Sequence, residues 1–147
     1  MTQPAGTTIQ NPYGIDFWIG PNATGQLDAD PSMRTTTGRG LLSQSLLCRQ
    51  TTPRGSVVDC PNDCLDIRDM VSSGMTQAQI TALASQIQQE LLKDQRVSGA
   101  IVTATFSNAT STLTITEQIQ SGYGPFTLVL AVTSLTVKIL DANLPTQ

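Results

Sequence analysis

The sequence predicts an α+β fold, a small three-stranded antiparallel sheet packed with two or three helices and preceded by an extended N-terminal arm. Three observations carry this. Thr76 and Gln79 form an S/T-x-x-E/Q capping box, and behind it Ile80, Leu83, Ala84, Ile87 and Leu91 follow the spacing of one buried helix face. After Arg96 the apolar period falls from 3.6 to 2, the mark of a change from helix to strand. From Met1 to about Gly40 the chain is rich in Thr, Gly, Pro and Asn, with turns at PNATG and ADPS between short apolar islands. Residues 1–40 therefore read as the arm, and residues 41–147 as one α+β domain.

Within the arm, Ile15, Phe17, Trp18 and Ile19 form an apolar island. Phe17 and Trp18 are its expected anchor, packed on the chain's own domain or on another subunit. In GLLSQSLLCRQ, Leu42, Ser45, Leu46 and Arg49 share one face, with Leu41 and Cys48 flanking, and predict a short helix. Thr51, Thr52, Pro53, Arg54 and Gly55 break it, because proline disfavours helix in the residue before it and glycine admits a left-handed turn. Ser56 to Cys60 reads as a brief extended piece, and Pro61, Asn62 and Asp63 as a turn. Cys64 to Val71 has the spacing of a further short helix.

The strands follow. Val97 to Phe106 is rich in Val, Ile, Thr and Ala, SNATS turns the chain, and Leu113, Ile115, Glu117 and Ile119 alternate with Thr114, Thr116 and Gln118. QSGYGP makes a second turn. Phe126 to Leu140 is a long apolar and β-branched run with a bend or bulge expected near Thr133 and Ser134.

Composition narrows the function. A chain of 147 residues suits one core, built mainly from Leu, Ile, Val and Ala since aromatics are only 4%. Charged residues make up 13%, against about 25% in an ordinary soluble domain, so the surface suits a subunit covered by neighbours. A net charge of -3 supplies no basic stripe for nucleic acid and little for an anionic membrane. Neither a spanning apolar run nor an export signal is legible, and folding in the cytosol is the expectation.

The stretch TTPRGSVVDCPNDCLDIRDMV concentrates chemistry-bearing residues. Asp59, Asp63, Asp66 and Asp69 are spaced 4, 3 and 3 apart with no glycine among them, which does not make a calcium loop. Cys48, Cys60 and Cys64 match no zinc pattern, and histidine is absent; Cys60 and Cys64 are one residue looser than a redox C-x-x-C pair. Reduced thiols, no metal and no cofactor are expected. Glu90 and Asp94 are the best paired carboxylates for a cell-wall (peptidoglycan) hydrolase, but with Lys93 and Arg96 beside them a charged helix end is the plainer reading.

The order of these elements resembles the baseplate wedge and sheath-initiator family of phage contractile tails, known also for a lysozyme-like wedge protein. The resemblance spans about Leu41 to Leu140: LLCRQTTPRGSVVDCPNDCLDIRDMV, the capped helix ending in LLKDQRV, and strands with LTIT and PFTLVLAV. Thr52, Pro53, Arg54 and Gly55 match the family's first turn, which makes Pro53, Gly55 and Pro61 structural turn residues. Pro61, Asn62 and Asp63 match its second turn, and Cys64 stands where glycine is usual. Asp94, Gln95 and Arg96 match its acidic-Pro-Arg docking motif, with Gln95 in place of proline. The resemblance implies a structural, non-enzymatic subunit of the virion, assembled in the host cytoplasm. Such a subunit docks through the arginine motif on a helical bundle of other wedge proteins and offers strands to the first ring of the tail sheath. The tail tube or hub would lie nearby. An adaptor module of a related injection machine would share these features, and the lysozyme-like activity attached to the family has no residue here to carry it.

Overall fold

The computed structural model describes residues 14–21, 27–29, 32–71 and 74–142. Residues 1–13 of the arm, Ser72, Ser73 and most of the turns expected at PNATG and ADPS lie outside these ranges. The described chain is α+β, with two α-helices, two short two-stranded ribbons and one four-stranded antiparallel sheet.

The four-stranded sheet corrects the expected three-stranded one. Its strands β5 (Val97–Ser107), β6 (Thr112–Ser121), β7 (Gly124–Val132) and β8 (Val137–Ala142) follow one another as a meander. The long run after Phe126 is two strands because Thr133 makes a turn. Its hydroxyl accepts the Leu135 and Thr136 amides at 3.3 and 3.0 Å, and its own amide donates to the Thr136 carbonyl at 2.8 Å. One sheet face is apolar, from Leu113, Ile115 and Ile119 on β6 and Phe126, Leu128, Leu130 and Val132 on β7. Strand alternation puts these side chains on one side.

Upstream, β1 (Ile15–Phe17) pairs with β4 (Thr35–Thr37), and β2 (Ile19–Pro21) with β3 (Leu27–Ala29). The described part of the expected extended arm is thus paired into ribbons. Helix α1 (Gly38–Thr51) begins a few residues before the predicted start. Helix α2 (Gln77–Leu92) carries both halves of the capping box and buries Ile80, Leu83, Ile87 and Leu91 as the spacing required. It packs on β5, and with Leu42, Leu46, Leu47 and Ile67 it closes the core over the sheet. Arg39 in the first turn of α1 fastens the β6–β7 turn, donating from Nε and a terminal nitrogen to the Tyr123 carbonyl at 2.9 and 2.6 Å. Gly124 has φ +92, and a Cβ there would lie 2.9 Å from that arginine, so both backbone and space call for glycine.

The third expected helix does not form. Leu65 to Val71 is extended and then turns, with i to i+3 bonds from Met70 and Val71 to Ile67 and Arg68. Its backbone is committed elsewhere: Leu65 and Ile67 donate to the Arg49 and Gln50 carbonyls at 2.8 and 3.0 Å. Ser56 to Cys60, expected to be extended, is instead a chain of turns closed by Ser56 to Pro53 and Cys60 to Val57 bonds.

Candidate docking joint

A helix leaves its last four carbonyls without partners, and at α1 the TTPRGSVVDCPNDCLDIRDMV stretch satisfies those of Cys48 to Thr51 and adds a bond to Leu47. The Leu47 and Cys48 carbonyls take the Thr51 and Thr52 hydroxyls at 3.0 and 2.7 Å. The Arg49 and Gln50 carbonyls take the Leu65 and Ile67 amides, and the Thr51 carbonyl takes the Arg68 guanidinium at 2.9 Å. Gly55, at φ +85, reverses the chain after Pro53, and the turn from Pro61 closes with the Asp63 amide on the Cys60 carbonyl at 3.1 Å. Pro53, Gly55 and Pro61 thus lie at turns of this joint. Cys64 adopts φ +75, the left-handed backbone that glycine takes without strain.

That conformation points the Cys64 amide at Glu90 Oε1, 2.7 Å away. Glu90 is 1% exposed and carries the centre of an ion network. Arg49 reaches its Oε1 at 3.1 Å, while Lys93 and Arg54 lie 2.8 and 3.5 Å from Oε2. Oε2 meets these cations as ion pairs, without hydrogen bonds of full geometry. Arg49 also contacts Asp63 at 3.1 Å and approaches Asp94 at 4.0 Å, so it joins the turn, α2 and the segment after α2. Burial pulls the Arg49 guanidinium down, and the carboxylates of Asp63, Glu90 and Asp94 outweigh it, holding the group above its ordinary value.

Asp94, Gln95 and Arg96 form a compact ring beyond this network. Asp94 Oδ1 accepts the Arg96 amide at 3.0 Å and Nε at 2.8 Å, and Oδ2 accepts a terminal nitrogen at 2.6 Å. Burial raises the Asp94 carboxyl, but the bonds from Arg96 prevail and hold it below the usual range. Asp66, Ile67 and Arg68 repeat the arrangement, with the same three bonds at 3.0, 2.8 and 2.6 Å. There the hydrogen bond from Arg68 depresses the Asp66 carboxyl. The expectation that Arg96 closes α2 needs correction: α2 ends at Leu92 with no cation in its last turn, and Arg96 is bound to Asp94 instead. Gln95 is exposed.

The arm anchors behave differently from one another. Trp18 is half-buried and its amide donates to the Arg34 carbonyl at 2.7 Å, whereas Phe17 is 53% exposed. The actual tie is Gln44. Its amide nitrogen donates to the Phe17 carbonyl at 2.8 Å and its oxygen accepts the Ile19 amide at 2.9 Å, as a strand neighbour would. Sequence reasoning passed over Gln44; the one signal was a long polar residue two positions from Leu42, which borders the buried face.

Two further polar residues lie in the core, Glu117 from the alternating run that the sequence showed and Gln50, which it did not single out. Glu117, in the inward-pointing run of β6, is fully buried, as is Gln50 at the end of α1. Burial pushes the Glu117 carboxyl up to about 7, with the Gln50 amide acting in the other direction. Neither side chain completes a hydrogen bond of full geometry. Burial likewise holds the Cys48 and Cys64 thiols above their ordinary value, which disfavours a thiolate nucleophile at either. Among the described residues no group of three or more cysteine or carboxylate side chains is placed to hold a metal.

Neither a scan against protein-family models nor a search of curated proteins finds a match for this chain.

Proposed function

We propose that this chain is a structural wedge subunit of a contractile-tail baseplate, docking on a helical bundle of neighbouring baseplate proteins and offering strands to the first sheath ring. The observation that carries the reading is the Asp94–Arg96 ring. The guanidinium donates two hydrogen bonds to one carboxylate and the Arg96 amide a third, which orients an arginine whose side chain stays 24% exposed, at the rim of a joint tying α1 to α2. An oriented arginine loses little freedom when it binds carboxylates or helix-end carbonyls. The low charge of the whole chain suits permanent contacts, and Leu135 and Leu140 are exposed on and beside the edge strand β8. Glycan hydrolysis gains no support, since Glu90 lies beneath Arg49, Arg54 and Lys93, where a sugar ring has no access.

The test is location. Tail particles made with an epitope-tagged copy of this chain should carry the tag at the baseplate end in negative-stain images. Intact particles without the chain, or label elsewhere, would overturn the reading.

A further inference from the structure

The two edges of the four-stranded sheet are built differently. β8 has six residues, carries Lys138 and Asp141, and is irregular where it passes Val129 and Leu130. Shortness, charge and bulges are the usual protections of an edge against pairing with another chain. β5 has eleven residues, VSGAIVTATFS, with neither a charge nor a proline. Its one irregularity falls between Val97 and Gly99, leaving Gly99 to Ser107 in regular register with β6. Among the described residues no strand pairs with its outer side. On the face away from the core, Ile101 is 60% exposed, and Thr103 and Thr105 are exposed beside it.

The helix over this edge shares its character. α2 packs on β5, the edge strand, rather than over the middle of the sheet. Its exposed positions include Ala78, Thr81, Ala82, Ser85, Gln86 and Gln89, and its one charged residue, Glu90, is turned into the joint. Edge and helix together form one uncharged surface.

We propose that the outer edge of β5 is a docking edge for β5 of a second copy of this chain. The two strands run antiparallel across a two-fold axis at Thr103 and join two four-stranded sheets into one. In that register each larger core-facing residue meets a smaller one, Val102 opposite Ala104 and Phe106 opposite Ala100. On the outer face Ile101 meets Thr105 and Thr103 meets its own copy; apolar–threonine and threonine–threonine pairs of this kind are favourable across strands. No like charges are brought together anywhere along the pair. A two-fold axis normal to the sheet keeps both α2 helices on one side, antiparallel, and their small exposed residues permit close approach. The self-complementary volumes favour a second copy, and the absence of charge offers no pattern that would select a different strand.

Sedimentation velocity of the full chain over a wide concentration series tests this. The wild type should pass from monomer to dimer. Ile101→Lys/Thr105→Lys sets lysine against lysine twice and should stay monomeric, whereas Ile101→Lys/Thr105→Glu sets lysine against glutamate and should dimerise again. Both positions are exposed, and unchanged thermal unfolding of dilute protein shows that the fold survives; Thr103→Lys is a second disrupting variant should the double one not fold. A wild type that is monomeric throughout overturns the proposal, whatever other strand the edge then accepts. So does a lysine–lysine variant that dimerises like the wild type, or a lysine–glutamate variant as monomeric as the lysine–lysine one.

Discussion

Glu117, midway along β6, and Gln50, in the last turn of α1, meet inside the core with all four polar side-chain atoms short of a full hydrogen bond. A buried carboxyl in this position favours its neutral form, which can also donate to the amide oxygen of Gln50. The folded value of about 7 lies above the ordinary 4.5, so the folded state holds this proton more tightly than the unfolded chain does. Stability from this group is therefore complete below pH 4.5 and lost as pH rises through about 7. The loss is on the order of 3 kcal/mol. Glu117→Gln should unfold at a higher temperature than the wild type at pH 8 and at a similar one at pH 4.5; equal melting temperatures at pH 8 would reject this account.

Asp66 and Asp94 act in the opposite sense. Both are depressed below the ordinary 3.8 by their arginines, so their contribution is present above that value and lost as pH falls through the folded one. With Glu117 this makes stability greatest near pH 4 to 4.5, between the ordinary values 3.8 and 4.5 of the two residue types. Denaturant midpoints measured from pH 2 to 9 should trace such a dome, and a maximum at pH 7 or above would contradict it.

Removal of Glu90 should be costly because it strands what surrounds it. Glu90→Ala leaves Arg49 without one of its carboxylates and the Cys64 amide without its acceptor. Arg54 and Lys93 are more exposed, and water screens them. The expected loss is about 3 kcal/mol, mostly from the buried side of the network. Glu90→Gln retains an acceptor for the Cys64 amide and should lose less. Equal losses in the two variants, read from urea unfolding, would assign the whole effect to the lost charge and none to the acceptor and shape that glutamine retains.

Gln44 offers a test of how the arm is held. Gln44→Ala deletes both bonds to the segment around Trp18, at a cost of about 1 to 2 kcal/mol confined to the arm. Trypsin should then cut after Arg34 faster, and Trp18 emission should shift to longer wavelength, while global unfolding changes little. An unchanged rate of cleavage would show that contacts other than Gln44 hold the arm.

Residue patterns reveal elements whose stabilising contacts are local and conceal those whose partners are distant. α2 was legible because the capping box and the buried face lie within sixteen residues. The break into β7 and β8 was half legible: a bend was expected near Thr133, but its hydroxyl turn, which creates a fourth strand, is a matter of side-chain geometry. Cys64 to Val71 has helical spacing, yet its amides serve the end of α1, an obligation that no local pattern records. Glu117 stood in the inward register from the start. What the sequence did not disclose was that Gln50, sixty-seven positions earlier, would be its neighbour.

The two Asp-x-Arg rings separate folding from docking. Arg68 donates to the Thr51 carbonyl as well as to Asp66, so its guanidinium stitches the joint to the end of α1. Arg68→Lys keeps one charge but loses the planar fork, and should lower stability by about 1 to 2 kcal/mol. In Arg96→Lys the backbone amide still reaches Asp94 and the ion pair with lysine is retained in part, so thermal unfolding should move less. If Arg96 is the docking residue, incorporation into tail particles should fall for Arg96→Lys, because an ammonium cannot reproduce the bidentate geometry. The expected ordering is therefore crossed, with Arg68→Lys the less stable protein and Arg96→Lys the less well incorporated one. Wild-type incorporation of Arg96→Lys protein would reduce the Asp94–Arg96 ring to a local staple like its counterpart at Asp66.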